Sequence, residues 1–234
     1  MAYPISLVSN SSKSGKTTIA LNIAILLASS NKKILLFNLK TKTPFSKLLT
    51  NVLPSNNKNI IKPLVLFQYN KNLSLMFLDN EINLKKHDWE KIISKQFSIL
   101  EKKYDYIIFN VDHVGNTLVT ACLNISREVF AVFNSNTFTS NDLQKILTNI
   151  RKIQISNNNI KLTTIILNNY NQHLHLESLM SVSKLTNSTY SLITLPLQNE
   201  FWEINEQSVK FIKYNKWNNY TISLSKVVEQ LLKK

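Results

Sequence analysis

Near the N-terminus, Ser9-Asn-Ser-Ser-Lys-Ser-Gly-Lys-Thr-Thr18 gathers side chains suited to holding a polyphosphate. Gly15-Lys16-Thr17 forms the end of a phosphate-loop pattern. In such a loop the backbone N–H groups and the start of the next helix face the phosphates. Lys16 would reach the β and γ oxygens, and the Thr17 hydroxyl would take Mg2+. Lys13, Ser14, Gly15 and Thr18 complete the cradle. The tripeptide alone would recur by chance in a lysine-rich chain. Its placement singles it out, because it follows the apolar run Ile5-Ser-Leu-Val8 and precedes Ile19, Ile23, Leu26 and Leu27 at helical spacing. The loop also departs from the pattern. Asn10 stands where the first glycine is usual, and Ser12 and Lys13 bring side chains to places where backbone must approach a phosphate closely.

The rest of the chain alternates short apolar runs with longer helical segments. Strands are predicted at 5–8, 33–37, 73–78, 106–109, 129–133, 162–167 and 190–195. Helices are predicted at 17–30, 88–102, 141–153 and 222–232, where apolar residues recur at three- and four-residue intervals. Several strands are apolar almost throughout, as in Lys33-Ile-Leu-Leu-Phe37, which suits a strand covered on both faces. Strands separated by helices imply right-handed crossovers and a parallel sheet, an α/β fold. The Asn/Lys-rich stretch 54–62 reads as a long exposed loop, and 157–159 as a turn. Neither requires a boundary, so residues 1–234 read as a single domain.

Composition narrows the function. The 234 residues carry 28 Lys+Arg against 14 Asp+Glu, a net +14, and 44% are apolar. A core of ordinary size is therefore available, and no apolar run reaches the ~18 residues of a membrane span. The N-terminus lacks a secretory pattern, and a single cysteine, Cys122, excludes an internal disulfide. A cytoplasmic protein is expected. The positive field suits a polyanion such as DNA bound without sequence preference, or an acidic partner protein. It equally suits a solvated basic exterior. Lys210, Lys213 and Lys216, interleaved with Phe211, Tyr214 and Trp217, are the nucleic-acid candidates. Leu224, Val227, Val228 and Leu231 form a helical stripe that fits either a lipid surface or, the favoured reading, docking on the sheet. His173 and His175, with Glu177 near, lack enough ligands for a metal and read as solvated histidines at a helix start.

Five further stretches match one known pattern in order. After the loop comes Ile19-Ala-Leu-Asn-Ile-Ala24. Next are Lys33-Ile-Leu-Leu-Phe-Asn-Leu-Lys40 and Tyr104-Asp-Tyr-Ile-Ile-Phe-Asn110. Ile165-Ile-Leu-Asn168 and Leu195-Pro-Leu-Gln-Asn-Glu200 close the series. With its loop Ser11-Ser-Lys-Ser-Gly-Lys-Thr-Thr18, the chain resembles the ParA/MinD family of deviant-Walker P-loop ATPases. The resemblance implies a three-layer sandwich with a mostly parallel, twisted central sheet. It also implies ATP or ADP with Mg2+ as ligand, a homodimer as the switched state, and Asn168 as the reader of adenine.

The departures from that family bear on activity. Ser11 holds the place of the signature lysine that reaches the partner's nucleotide. Asn38 and Lys40 replace the acids of the second strand, and Asn110 replaces the Walker B acid. Phosphoryl transfer depends on Mg2+, placement of water and charge stabilisation. Asp112, two residues past Asn110, would share its strand face and is a substitute acid if the strand persists. Three readings stand. The first is a degenerate partition or positioning protein that binds ATP weakly or serves as a scaffold. The second is an active ATPase with rewired acids that drives DNA segregation. The third is an adaptor for secretion, pilus or flagellar assembly.

Overall fold

The computed structural model describes residues 1–11, 13–39, 58–61, 64–78, 88–113, 117–186, 190–197 and 218–234. At 58–61, 112–113 and 185–186 it describes the backbone alone. The strands are β1 (Tyr3–Ser9), β2 (Ile34–Asn38), β3 (Lys58–Ile61), β4 (Leu64–Gln68), β5 (Leu73–Leu78), β6 (Tyr106–His113), β7 (Glu128–Asn134), β8 (Lys161–Tyr170) and β9 (Ser191–Pro196). They form one sheet in the order β3-β4-β5-β2-β6-β1-β7-β8-β9. Only β4 runs against the rest, pairing antiparallel with β3 and β5. The helices are α1 (Lys16–Ser29), α2 (Trp89–Leu100), α3 (Thr117–Ile125), α4 (Ser140–Gln154), α5 (Leu176–Thr186) and α6 (Asn219–Leu232).

The continuous apolar runs of the strands serve two cores at once, because successive side chains leave opposite faces. Ile34 and Leu36 of β2 join Ile5 and Leu7 of β1 on one face, beneath Ile19, Ile23 and Leu27 of α1. Leu35 and Phe37 enter the other core with Trp89 and Ile93 of α2, Cys122 of α3 and Leu143 and Ile146 of α4. The result is the expected three-layer α/β sandwich. The stripe of α6 is spent on the sheet: Leu224, Val227, Val228 and Leu231 lie in the first core. The Tyr106 hydroxyl also donates to the Leu231 carbonyl at 2.8 Å. Among the described residues no helix is long and apolar enough to cross a membrane.

Several features differ from the sequence reading, which listed no element at β4 or α3. Residues 58–61, expected within a loop, form β3 and pair with β4, Ile60 opposite Val65 and Ile61 opposite Leu64. The Asn- and Lys-rich composition of 54–62 hid a short strand whose partner lies just beyond it. Helix α3 is only nine residues long and was not anticipated. His175 is buried rather than solvated: its Nδ1 accepts the Asn171 N–H at 2.9 Å and its ring lies 6.0 Å from that of Tyr170. The turn at 157–159 is present, with Asn157 Oδ1 accepting the Asn159 N–H at 3.1 Å.

Candidate nucleotide site

The central strand β1 lies between β6 and β7, and its carboxyl end delivers the chain into the loop that opens α1. A crevice beside the central strand of an open α/β sheet is where such folds place ligands. Gly15 is the N-cap of α1, with φ +82 and no side-chain capping bond. Gly15 supplies no side-chain cap to the first-turn N–H groups, which carry the positive end of the helix dipole. The first turn contains no acid. That is a fit for a phosphate.

Lys16 is buried at 3% exposure, and its ammonium donates to the Ser9 hydroxyl at 3.2 Å. The side chain thus folds back across the mouth of the loop it belongs to. Thr17 and Thr18 are half-buried, and Lys13 is exposed. Lys13 takes φ +62, a left-handed conformation that a residue with a Cβ enters only at a cost.

Three asparagines tether this glycine-poor loop: Asn10 within it, Asn134 of β7 and Asn168 of β8. Asn10 donates its amide to the Asp142 carbonyl of α4 at 2.6 Å. Asn134, at the end of β7, donates to the Lys13 carbonyl at 3.3 Å. Asn168, on β8, donates its side-chain amide to the Ser14 carbonyl at 3.1 Å, while its backbone carbonyl accepts the Ser135 N–H at 2.8 Å. Asn168 packs so closely on Gly15 that a Cβ there would lie 2.1 Å from its Nδ2. Glycine is thus required at 15 by φ and by space together. The placement of Asn10 and Asn134 was not foreseen. Asparagine is so common in this chain that neither carried a signal.

Asn38 and Asn110, expected at the places of two acids, are adjacent in register on β2 and β6. Asn110 Nδ2 donates both to Asn38 Oδ1 at 2.7 Å and to the Thr17 hydroxyl oxygen at 2.9 Å. Both asparagines are fully buried, and Asn110 Oδ1 has no hydrogen-bond partner. The residue types bear on a metal. Mg2+ is held by one or two carboxylates plus phosphate and water, at about 2.0–2.1 Å. Here the Thr17 oxygen faces an N–H hydrogen, and both flanking groups are neutral amides. These three residues do not fit Mg2+ as they stand. Asp112 follows on β6, with its side chain outside the described residues. Lys40, Lys210, Lys213 and Lys216 also lie outside them.

The comparisons with known proteins agree with this fold. The cell division ATPase MinD of Pyrococcus furiosus is 19% identical, with a TM-score of 0.75 over 100% of this chain and 99% of that one. A plasmid partition protein from Borrelia burgdorferi is 17% identical, with a TM-score of 0.71 over 100% of this chain and 99% of that one. Cobyrinic acid a,c-diamide synthase from Mycobacterium smegmatis, solved with an ATP analogue and magnesium, is 17% identical, with a TM-score of 0.71 over 100% of this chain and 95% of that one. No match to a curated protein was found. A family model, the CobQ/CobB/MinD/ParA nucleotide binding domain, matches residues 5–210. With a phosphate loop at the carboxyl end of a central parallel strand and that match over most of its length, the chain belongs to the CobQ/CobB/MinD/ParA family.

Proposed function

We propose that this chain is a partition or positioning protein of the ParA/MinD type whose degenerate site binds ATP weakly, or acts as a scaffold, and does not hydrolyse ATP efficiently. One observation carries the reading: Asn38 and Asn110, in the places of two of the family's acids, form a neutral amide network with Thr17. An amide cannot take a proton from water, and it adds no charge to hold a divalent cation. The phosphate-facing half of the loop is retained in Gly15, Lys16, Thr17 and Thr18. Names among the structural neighbours, a cell division ATPase and a plasmid partition protein, support a positioning role. The net charge of +14 supports DNA or an acidic protein as partner, with Lys210, Lys213 and Lys216 as contacts. A homodimer in the cytoplasm is the working state of this proposal.

The test is steady-state phosphate release from ATP by the purified chain and by Lys16→Ala. The expected result is no release above the Lys16→Ala background. Sustained turnover that Lys16→Ala abolishes would instead assign the chain to the active ATPases.

A further inference from the structure

We infer that this site binds a nucleoside polyphosphate without Mg2+, the bare anion being held by the loop and by Lys16. The inference rests on the nucleotide-binding part of the function proposed above.

Asn110 points one amide group at two oxygens, 2.9 Å from Thr17 Oγ1 and 2.7 Å from Asn38 Oδ1. A metal on Thr17 would meet the positive end of that N–H. Rotating Asn110 alone would set two carbonyl oxygens 2.7 Å apart, which is repulsive. A metal-accepting arrangement therefore needs both buried amides to reverse together. In the arrangement present, the Asn110 carbonyl oxygen is sealed at 1% exposure with no partner.

Charge completes the argument. Carboxylates beside a polyphosphate repel it unless a cation stands between them. Asn38 and Asn110 impose no such repulsion, so no cation is needed to relieve it. The anion is met instead by the first turn of α1, which opens on Gly15 and holds no acid, and by Lys16. A metal would have only the phosphates themselves to neutralise.

The experiment titrates a fluorescent ADP or ATP analogue into the full chain, once with excess Mg2+ and once with EDTA. Affinities within about twofold of each other support the inference. Binding tighter by more than about tenfold in Mg2+ overturns it, and leaves the non-hydrolytic function standing. If that Mg2+ dependence disappears in Asp112→Asn, the metal belongs to Asp112 and the inference is equally overturned. Absence of binding in both buffers overturns it too. The same titration on Asn110→Asp, with folding checked by circular dichroism, is expected to lose at least about tenfold in EDTA and to recover in Mg2+. An Asn110→Asp protein that binds equally in both buffers counts against the amide network. The phosphate-release assay separately decides whether the function reading fails.

Discussion

Replacing Gly15 by alanine tests the packing of the loop, and its cost can be worked out from two causes. The first is conformational. At φ +82 a Cβ costs about 1–2 kcal/mol, of which roughly 0.4–1 kcal/mol is returned because alanine restricts the unfolded chain. The second is contact. The new methyl would lie 2.1 Å from Asn168 Nδ2, far inside van der Waals distance. Asn168 must move, losing its bond to the Ser14 carbonyl at about 1 kcal/mol and crowding its buried surroundings at ~1–3 kcal/mol. The total is about 3 kcal/mol, read as a lower urea midpoint at unchanged slope. In a chain of this length it is a fall in Tm of roughly 6–12 °C. A double-mutant cycle separates the causes. In an Asn168→Ala background the contact is gone, so Gly15→Ala should cost only about 1 kcal/mol, leaving a coupling near ~2 kcal/mol. If the two substitutions add within about 0.5 kcal/mol, the close approach of Asn168 to Gly15 is wrong.

Two further outcomes follow from other features. Lys13→Gly should relieve the left-handed strain at φ +62 and stabilise the protein by about 0.5–1 kcal/mol, whereas Lys13→Ala keeps the strain and should gain nothing; paired thermal melts compare them. Burial raises the hydroxyl pKa of Tyr3, Tyr106 and Tyr220 above the ordinary value. Because the folded state holds these protons more tightly, stability is full below about pH 10 and falls as pH rises through the higher folded values. Ultraviolet titration should show late-ionising tyrosines in the native protein that titrate normally in urea, and Tyr106→Phe should remove one of them.

Much of the fold could be read from periodicity, for a physical reason. Strands buried on both faces must be apolar almost throughout, so Ile34-Leu-Leu-Phe37 and Val129-Phe-Ala-Val-Phe133 stand out from their surroundings. The β3–β4 hairpin did not stand out, because Lys58 and Asn59 look like the loop before them and Ile60-Ile61 is too short to establish alternation. The site divided in the same way. Gly15-Lys16-Thr17 declared itself by its place between a strand and a helix. Asn38 and Asn110 were visible residue by residue, but their shared bond was not. It depends on β2 and β6 lying side by side, although 72 residues separate the two asparagines. The tethers from Asn10 and Asn134 belong to tertiary structure alone, since a residue type spread throughout the chain gives no contrast.

A loop proposed to cradle phosphate that leans on Asn10, Asn38, Asn110, Asn134 and Asn168 is open to a particular kind of ageing. Hydrolysis of a side-chain amide turns a hydrogen-bond donor into a carboxylate and places a negative charge where an anion is to sit. At Asn10, Asn134 or Asn168 that single event would cut a tether and repel the ligand together. At Asn38 or Asn110 it would put a carboxylate beside Thr17 in place of a neutral amide. Old and freshly made molecules would thus differ in what they can hold, with Asn38, Asn110 and Asn168 the least open to water of the five.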